Sequence, residues 1–318
     1  MARVVVSRHL PDGGLDPIAH HEIVIRDHDD RYSAGELAAA LADADALVCL
    51  LTDRVDGGAM EAAPALRVIA NVAVGFDNID VAAATERSIV VCNTPGILDE
   101  TTADLAFALV LAACRRMSAA ESDLRQGNWQ GWELSGYLGQ DVHGATLGIV
   151  GFGRIGQALA RRASGFSMEV IHHARRDTGL PGYVADLDEL LARADAISLH
   201  VPLGPDTHHL IDARRLALMK PTAVLVNTAR GPVVDEEALA EALHSGAIFG
   251  AGIDVYEKEP AVHPRLLSAP NVVLLPHIGS ASVRTRTAMA RMATQCVADV
   301  LAGRRPAHPV NPEVLERP

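Results

Sequence analysis

Short apolar runs alternate with longer Ala- and Leu-rich stretches along nearly the whole chain. A first group of runs is RVVVS at 3–7, HEIVI at 21–25, ALVCLL at 46–51, RVIAN at 67–71 and SIVVC at 88–92. A second group is TLGIVG at 146–151, EVIHH at 169–173, AISLHV at 196–201, AVLVN at 223–227, GAGID at 250–254 and VVLLP at 272–276. Many are almost continuously apolar, as strands are when both faces of a parallel sheet are covered. The helical stretches between them predict right-handed crossovers and an α/β class. Two longer helices break this rhythm. One is predicted from about Thr101 to Met117, with Asp99 or Thr101 as its cap, and the other from about Ser282 to Leu301, stopped by Gly303. We read these two helices as the crossings between domains. The expected fold is therefore two Rossmann/flavodoxin-like doubly wound parallel-sheet domains. Residues 99–285 would be a nucleotide-binding domain inserted into a substrate-binding domain of residues 1–98 plus 286–318.

Composition narrows the function classes. A chain of 318 residues suits two domains, since single cores rarely exceed about 250–300 residues. Its 49% hydrophobic and 21% charged content is that of a globular protein. The longest apolar segment, ADLAFALVLAAC, is too short to span a bilayer, and MARVVVSRHL runs straight into a strand without a leader-like apolar stretch. No membrane association is expected. The formal net charge of −12 argues against nucleic acid as a partner. Cys49, Cys92, Cys114 and Cys296 are scattered, with no metal spacing. They read as reduced core thiols, which fits a cytoplasmic protein without a metal.

The sharpest local motif is GIVGFGRIGQALARR, with Gly151, Gly153 and Gly156 in G-x-G-x-x-G spacing between a strand and a helix. The first glycine permits the turn, the second lets backbone approach a pyrophosphate, and the third lets helix and strand pack closely. The N–H groups of Arg154 and Ile155 would open the helix toward the phosphates. An acid that grips the adenosine ribose is expected at the end of the next strand, about twenty residues on. That position holds Ala174, followed by Arg175 and Arg176. A guanidinium suits a 2′-phosphate and a carboxylate would repel it. NADPH is therefore the expected cofactor, with NADH as the alternative. A plain solvated arginine pair is the bland reading of the same residues.

Further motifs are VGFDNID at 74–80, VCNTPG at 91–96, TTADLAFALVLAACRR at 101–116, VNTARGPVVDEEAL, GIDVYEKEP and NVVLLPHIGSAS. With the glycine loop, this ordered set resembles the D-isomer specific 2-hydroxyacid dehydrogenase family over nearly the whole chain. Within that family it resembles most the glyoxylate/hydroxypyruvate reductases. The resemblance implies a catalytic trio of Arg230, Glu259 and His277. Each type has a chemical reason. Reduction of a 2-oxo acid needs hydride on carbon and a proton on oxygen. His277 would supply the proton, and Glu259 would hold its ring and favour the charged form. Arg230 would grip the substrate carboxylate and polarise the ketone. Taken singly, each also reads as an ordinary core or surface residue.

By resemblance, Thr102 contacts a cofactor phosphate, Asp254 contacts the nicotinamide amide, and Thr228 and Gly279 lie near the ring. Val74 and Gly75 would hold the substrate carboxylate through backbone N–H groups, with Leu51 and Thr52 close to the substrate. The remaining histidines, His172, His173, His208 and His209 among them, read as surface or strand-end residues. The segment GNWQGWELSGYLG holds both tryptophans of a chain only 3% aromatic. In the family's relatives such a loop crosses a homodimer, so Trp132 would border the partner subunit's active site. An interface anchor with no part in specificity is the competing reading.

The expected activity is NADPH-dependent reduction of glyoxylate and hydroxypyruvate to glycolate and D-glycerate. One alternative is a reductase of bulkier 2-oxo acids such as aryl pyruvates. An alternative of another class is a dinucleotide-sensing, corepressor-like binding protein.

Overall fold

The computed structural model describes residues 1–28 and 30–316. The chain divides into two compact units, Met1–Leu98 with Ser280–Pro318, and Asp99–Gly279. In the first unit β1 (Arg3–Val6), β2 (Glu22–Ile25), α1 (Ala34–Leu41), β3 (Ala46–Cys49), α2 (Gly57–Glu61), β4 (Val68–Asn71), α3 (Val81–Glu86) and β5 (Val90–Cys92) follow in order. The second unit contains α4 (Asp99–Cys114), α5 (Met117–Arg125), β6 (Thr146–Val150), α6 (Arg154–Ser164), β7 (Glu169–His173), α7 (Leu187–Arg193) and β8 (Ala196–Leu199). It continues with α8 (Ala213–Leu216), β9 (Val224–Asn227), α9 (Glu236–His244), β10 (Gly250–Ile253), α10 (Pro264–Leu267) and β11 (Val272–Leu274). Helix α11 (Val283–Leu301) returns to the first unit.

Both sheets are parallel throughout. Their orders are β2-β1-β3-β4-β5 and β11-β10-β9-β8-β6-β7. The chain is thus α/β with two doubly wound sheets. Direction reverses beside β1 in one sheet and beside β6 in the other, and ligands bind at the carboxyl ends of strands at such points. The apolar runs are explained by burial on both faces. Val5 and Leu47 pack into one layer of the first unit, while their neighbours Val4, Val6, Ala46 and Val48 pack into the opposite layer. Val150 and Leu225 do the same against Ile149, Val224 and Val226 in the second unit.

Two boundaries differ from expectation. The units part at Ser280, not at residue 286, because Ser282 already caps α11 by accepting the N–H of Thr285. The helix expected to reach Met117 ends at Cys114. Arg116 adopts a left-handed conformation (φ 52°), and a separate α5 starts beyond it. Among the described residues no helix is long and apolar enough to cross a membrane, and no group of His, Cys, Asp and Glu side chains gathers to hold a metal.

Candidate active site

At the end of β6 the chain turns through Gly151 at φ +95° and enters α6. A Cβ on Gly151 would lie 2.6 Å from the His200 carbonyl oxygen, and one on Gly156 would overlap the Gly151 carbonyl oxygen. Side chains are excluded there by backbone. At Gly153 an added Cβ would meet nothing within 4 Å, so that glycine keeps open space in front of the helix. Gly153 caps α6 without a side-chain acceptor, and among the described residues the N–H groups of Arg154 and Ile155 have no backbone partner. These two donors stand at the positive end of a helix of 11 residues, a place that favours an anion. The Arg154 side chain is engaged elsewhere, with Nε 2.9 Å from Asp99 Oδ2.

Strand β7 ends at His173, so Ala174 stands where the ribose-binding acid was expected. Arg175 and Arg176 are exposed, and neither forms an ion pair among the described residues. The nearest carboxylate in sequence, Asp177, turns into its own loop and accepts the Gly179 N–H at 2.8 Å. Of the two places expected for it, surface or strand end, His172 takes the second: it lies at the end of β7 and is fully buried. Its ring stacks on Phe152 of the glycine loop at 3.7 Å, and Nε2 lies 2.7 Å from Thr178 Oγ1. It therefore ties the glycine loop to the arginine loop. Burial pushes its pKa down, so positive charge here comes from the arginines. His208 and His209 stack on each other at 4.1 Å, and His209 Nε2 pairs with Glu257 at 3.0 Å.

The three expected catalytic residues leave the ends of successive strands. Arg230 follows β9, Glu259 follows β10, and His277 follows β11. His277 Nδ1 lies 3.1 and 3.0 Å from the two oxygens of Glu259, and both side chains are about three-quarters buried. Burial works to raise the Glu259 pKa. The His277 hydrogen bond and charge, the Tyr256 N–H and the nearby Arg230 charge outweigh it, and the carboxyl sits below its ordinary value. The main chain at Arg230 is fixed by Asn227, whose side chain donates to the Arg230 carbonyl at 2.9 Å and accepts the Ala229 N–H at 3.0 Å.

Asp254 is buried, and its two oxygens accept the N–H groups of Ile278 (2.7 Å) and Gly279 (2.8 Å). Burial raises its pKa against those two donors. Thr102 donates to the Gly279 carbonyl at 3.3 Å, so Thr102, Asp254 and Gly279 meet at one point. Thr228 Oγ1 is buried with no partner among the described residues. An orphaned buried hydroxyl, an uncapped glycine turn and two open N–H donors fit a dinucleotide.

In the first unit, Leu51 and Thr52 follow β3, and Val74 and Gly75 follow β4. Asparagines missed in the sequence reading frame this loop. Asn93 donates to the Val74 carbonyl at 2.7 Å and Asn71 to the Gly75 carbonyl at 2.9 Å. Asn78 donates to Leu50 (3.1 Å) and Asp53 (2.9 Å), and a buried ion pair between Arg8 and Asp53 (3.3 Å) lies behind them. With both carbonyls taken, the N–H groups of Val74 and Gly75 have no backbone acceptor among the described residues. The signal in the sequence was asparagines at or just past strand ends, Asn71 and Asn93, with Asn78 in the loop between. The tryptophan segment of the second unit is highly exposed: Trp129 52%, Trp132 80%, Leu134 82% and Leu138 63%.

A largely buried histidine–carboxylate pair near an arginine, and a glycine turn opening a helix toward an anion, both at the carboxyl ends of strands of one parallel sheet, are the features of a nicotinamide-dependent oxidoreductase. The family model for the D-isomer specific 2-hydroxyacid dehydrogenase, NAD binding domain, matches residues 107–279. A glyoxylate reductase of Korarchaeum cryptofilum is 48% identical over 99% of this chain and 97% of its own length. A crystal structure of a protein from Thermus thermophilus superposes with a TM-score of 0.92 at 46% identity, covering 97% of this chain and 99% of that one. The NADPH-dependent glyoxylate/hydroxypyruvate reductase of Sinorhizobium meliloti, in complex with NADP and malonate, gives 0.86 at 36% identity over 97% and 96% of the two chains. The chain belongs to the D-isomer specific 2-hydroxyacid dehydrogenase family.

Proposed function

We propose that the protein reduces glyoxylate and hydroxypyruvate to glycolate and D-glycerate with NADPH. The observation that carries this reading is the His277–Glu259 pair at 3.0 Å beside Arg230. A bound nicotinamide supplies the hydride. Glu259 orients the His277 ring through Nδ1, which leaves Nε2 to give a proton to the ketone oxygen. Arg230 binds the substrate carboxylate and polarises the carbonyl. Val74 and Gly75 offer N–H donors suited to a carboxylate.

Gly151, Gly153, Gly156 and the N–H groups of Arg154 and Ile155 would hold the pyrophosphate, with Thr102 on a phosphate. Thr228, Asp254 and Gly279 would hold the nicotinamide end. Ala174, Arg175 and Arg176 support NADPH over NADH, since two guanidinium groups without an ion pair among the described residues stand where no acid does. Of the relatives named above, the Sinorhizobium meliloti reductase is NADPH-dependent, which supports the cofactor reading, and the Korarchaeum cryptofilum glyoxylate reductase supports the substrate reading. We further assign a homodimer in which Trp132 borders the partner subunit's site. The domain roles follow, with residues 99–279 for cofactor and residues 1–98 and 280–318 for substrate. The test is His277→Gln. Reduction of glyoxylate by NADPH should fall by about 10²–10⁴-fold with NADPH binding retained. An active His277→Gln enzyme would remove His277 as the donor.

A further inference from the structure

We infer that Tyr256 is a positioning residue that holds His277 in its working conformation, an inference resting on the reading of His277 as proton donor. His277 has a positive φ of 54°. A non-glycine residue pays for that conformation and keeps it only where its surroundings over-determine it. The surroundings are specific. After His277, the N–H groups of Ile278 and Gly279 are clamped by the Asp254 carboxylate. Before it, the Tyr256 hydroxyl donates to the Leu275 carbonyl at 2.9 Å and lies 3.3 Å from the Ile253 carbonyl. The phenol thus bridges β10 and β11 just past their last paired residues, Ile253 and Leu274.

The same residue reaches the other two members of the trio. Its backbone N–H donates to Glu259 Oε1 at 3.1 Å, and that carboxylate holds the His277 ring. Its main chain is the wall against the residue after Arg230: a Cβ on Gly231 would overlap the Tyr256 carbonyl group. A second tie holds the loop from outside, where Glu236 accepts the Glu257 N–H at 2.6 Å and Glu257 accepts the Glu236 N–H at 3.0 Å. The phenol is buried, and burial lifts its pKa to about 12, so it stays a donor at any working pH. A tyrosine kept only for packing would be replaceable by phenylalanine. Here the hydroxyl ends on the segment whose strained residue carries the chemistry.

The test is Tyr256→Phe, read by steady-state kinetics with NADPH and glyoxylate and by hydrogen exchange over residues 275–279. The expected result is a kcat lower by about tenfold, a KM for glyoxylate within about twofold, and faster exchange at 275–279. A kcat within about twofold of wild type, or a KM that changes in step with kcat, overturns the inference. Should the wild-type protein reduce no 2-oxo acid, the reading of the site fails on its own. Exchange then still decides for Tyr256: faster exchange at 275–279 upholds the clamp, and unchanged exchange overturns it.

Discussion

On the proposed reading, Arg175 and Arg176 would make the finest distinction asked of the molecule, between a ribose hydroxyl and a ribose phosphate. Their position follows from β7 ending at His173, with Ala174 where a carboxylate would forbid a phosphate. His172 adds no charge, because burial favours its neutral form. Through Thr178 it fixes the loop on which the arginines stand. Arg175→Ala should therefore raise KM for NADPH by about tenfold or more and leave KM for NADH within about twofold. Equal effects on both cofactors would assign Arg175 a general role in the loop. The arginines were legible from spacing alone, since the end of a strand can be counted. The burial of His172 was not. Two adjacent histidines at a strand end point to opposite faces, and sequence does not say which face is covered.

At the scale of elements, strands were the most legible part. The residue patterns placed all eleven strands of the described residues, with differences of up to two residues where pairing begins after the apolar run or stops before it. AISLHV at 196–201, for example, pairs only as far as Leu199. The break at Arg116 was missed because arginine is a good helix former, and its left-handed turn is imposed by tertiary context. The asparagine frame behind Val74 and Gly75 was missed for a different reason. Side-chain hydrogen bonds to backbone carbonyls leave no period in a sequence, and Asn71 and Asn93 reach the same Val74–Gly75 loop only when β4 and β5 pair. Tyr256 escaped for the same reason: its partners are Ile253, the last residue of β10, and Leu275, just past β11, which only the fold brings together.

At the scale of the whole molecule, the exposed tryptophan segment is the feature a single chain leaves unexplained. Trp132 and Leu134 stand 80% and 82% exposed, and exposed apolar groups of this size mark interaction sites. In the proposed homodimer this segment would pack on a second copy of the chain. Trp132→Ala should weaken the dimer in sedimentation analysis and relax the size preference across a panel of 2-oxo acids. A weakened dimer with an unchanged size preference would leave Trp132 as an interface anchor alone.

The most direct test of the central claim is kcat/KM of the wild-type protein for NADPH and for NADH at saturating glyoxylate. The account predicts turnover with both cofactors and a preference for NADPH of about tenfold or more. Equal values, a preference for NADH, or no turnover of glyoxylate would contradict it.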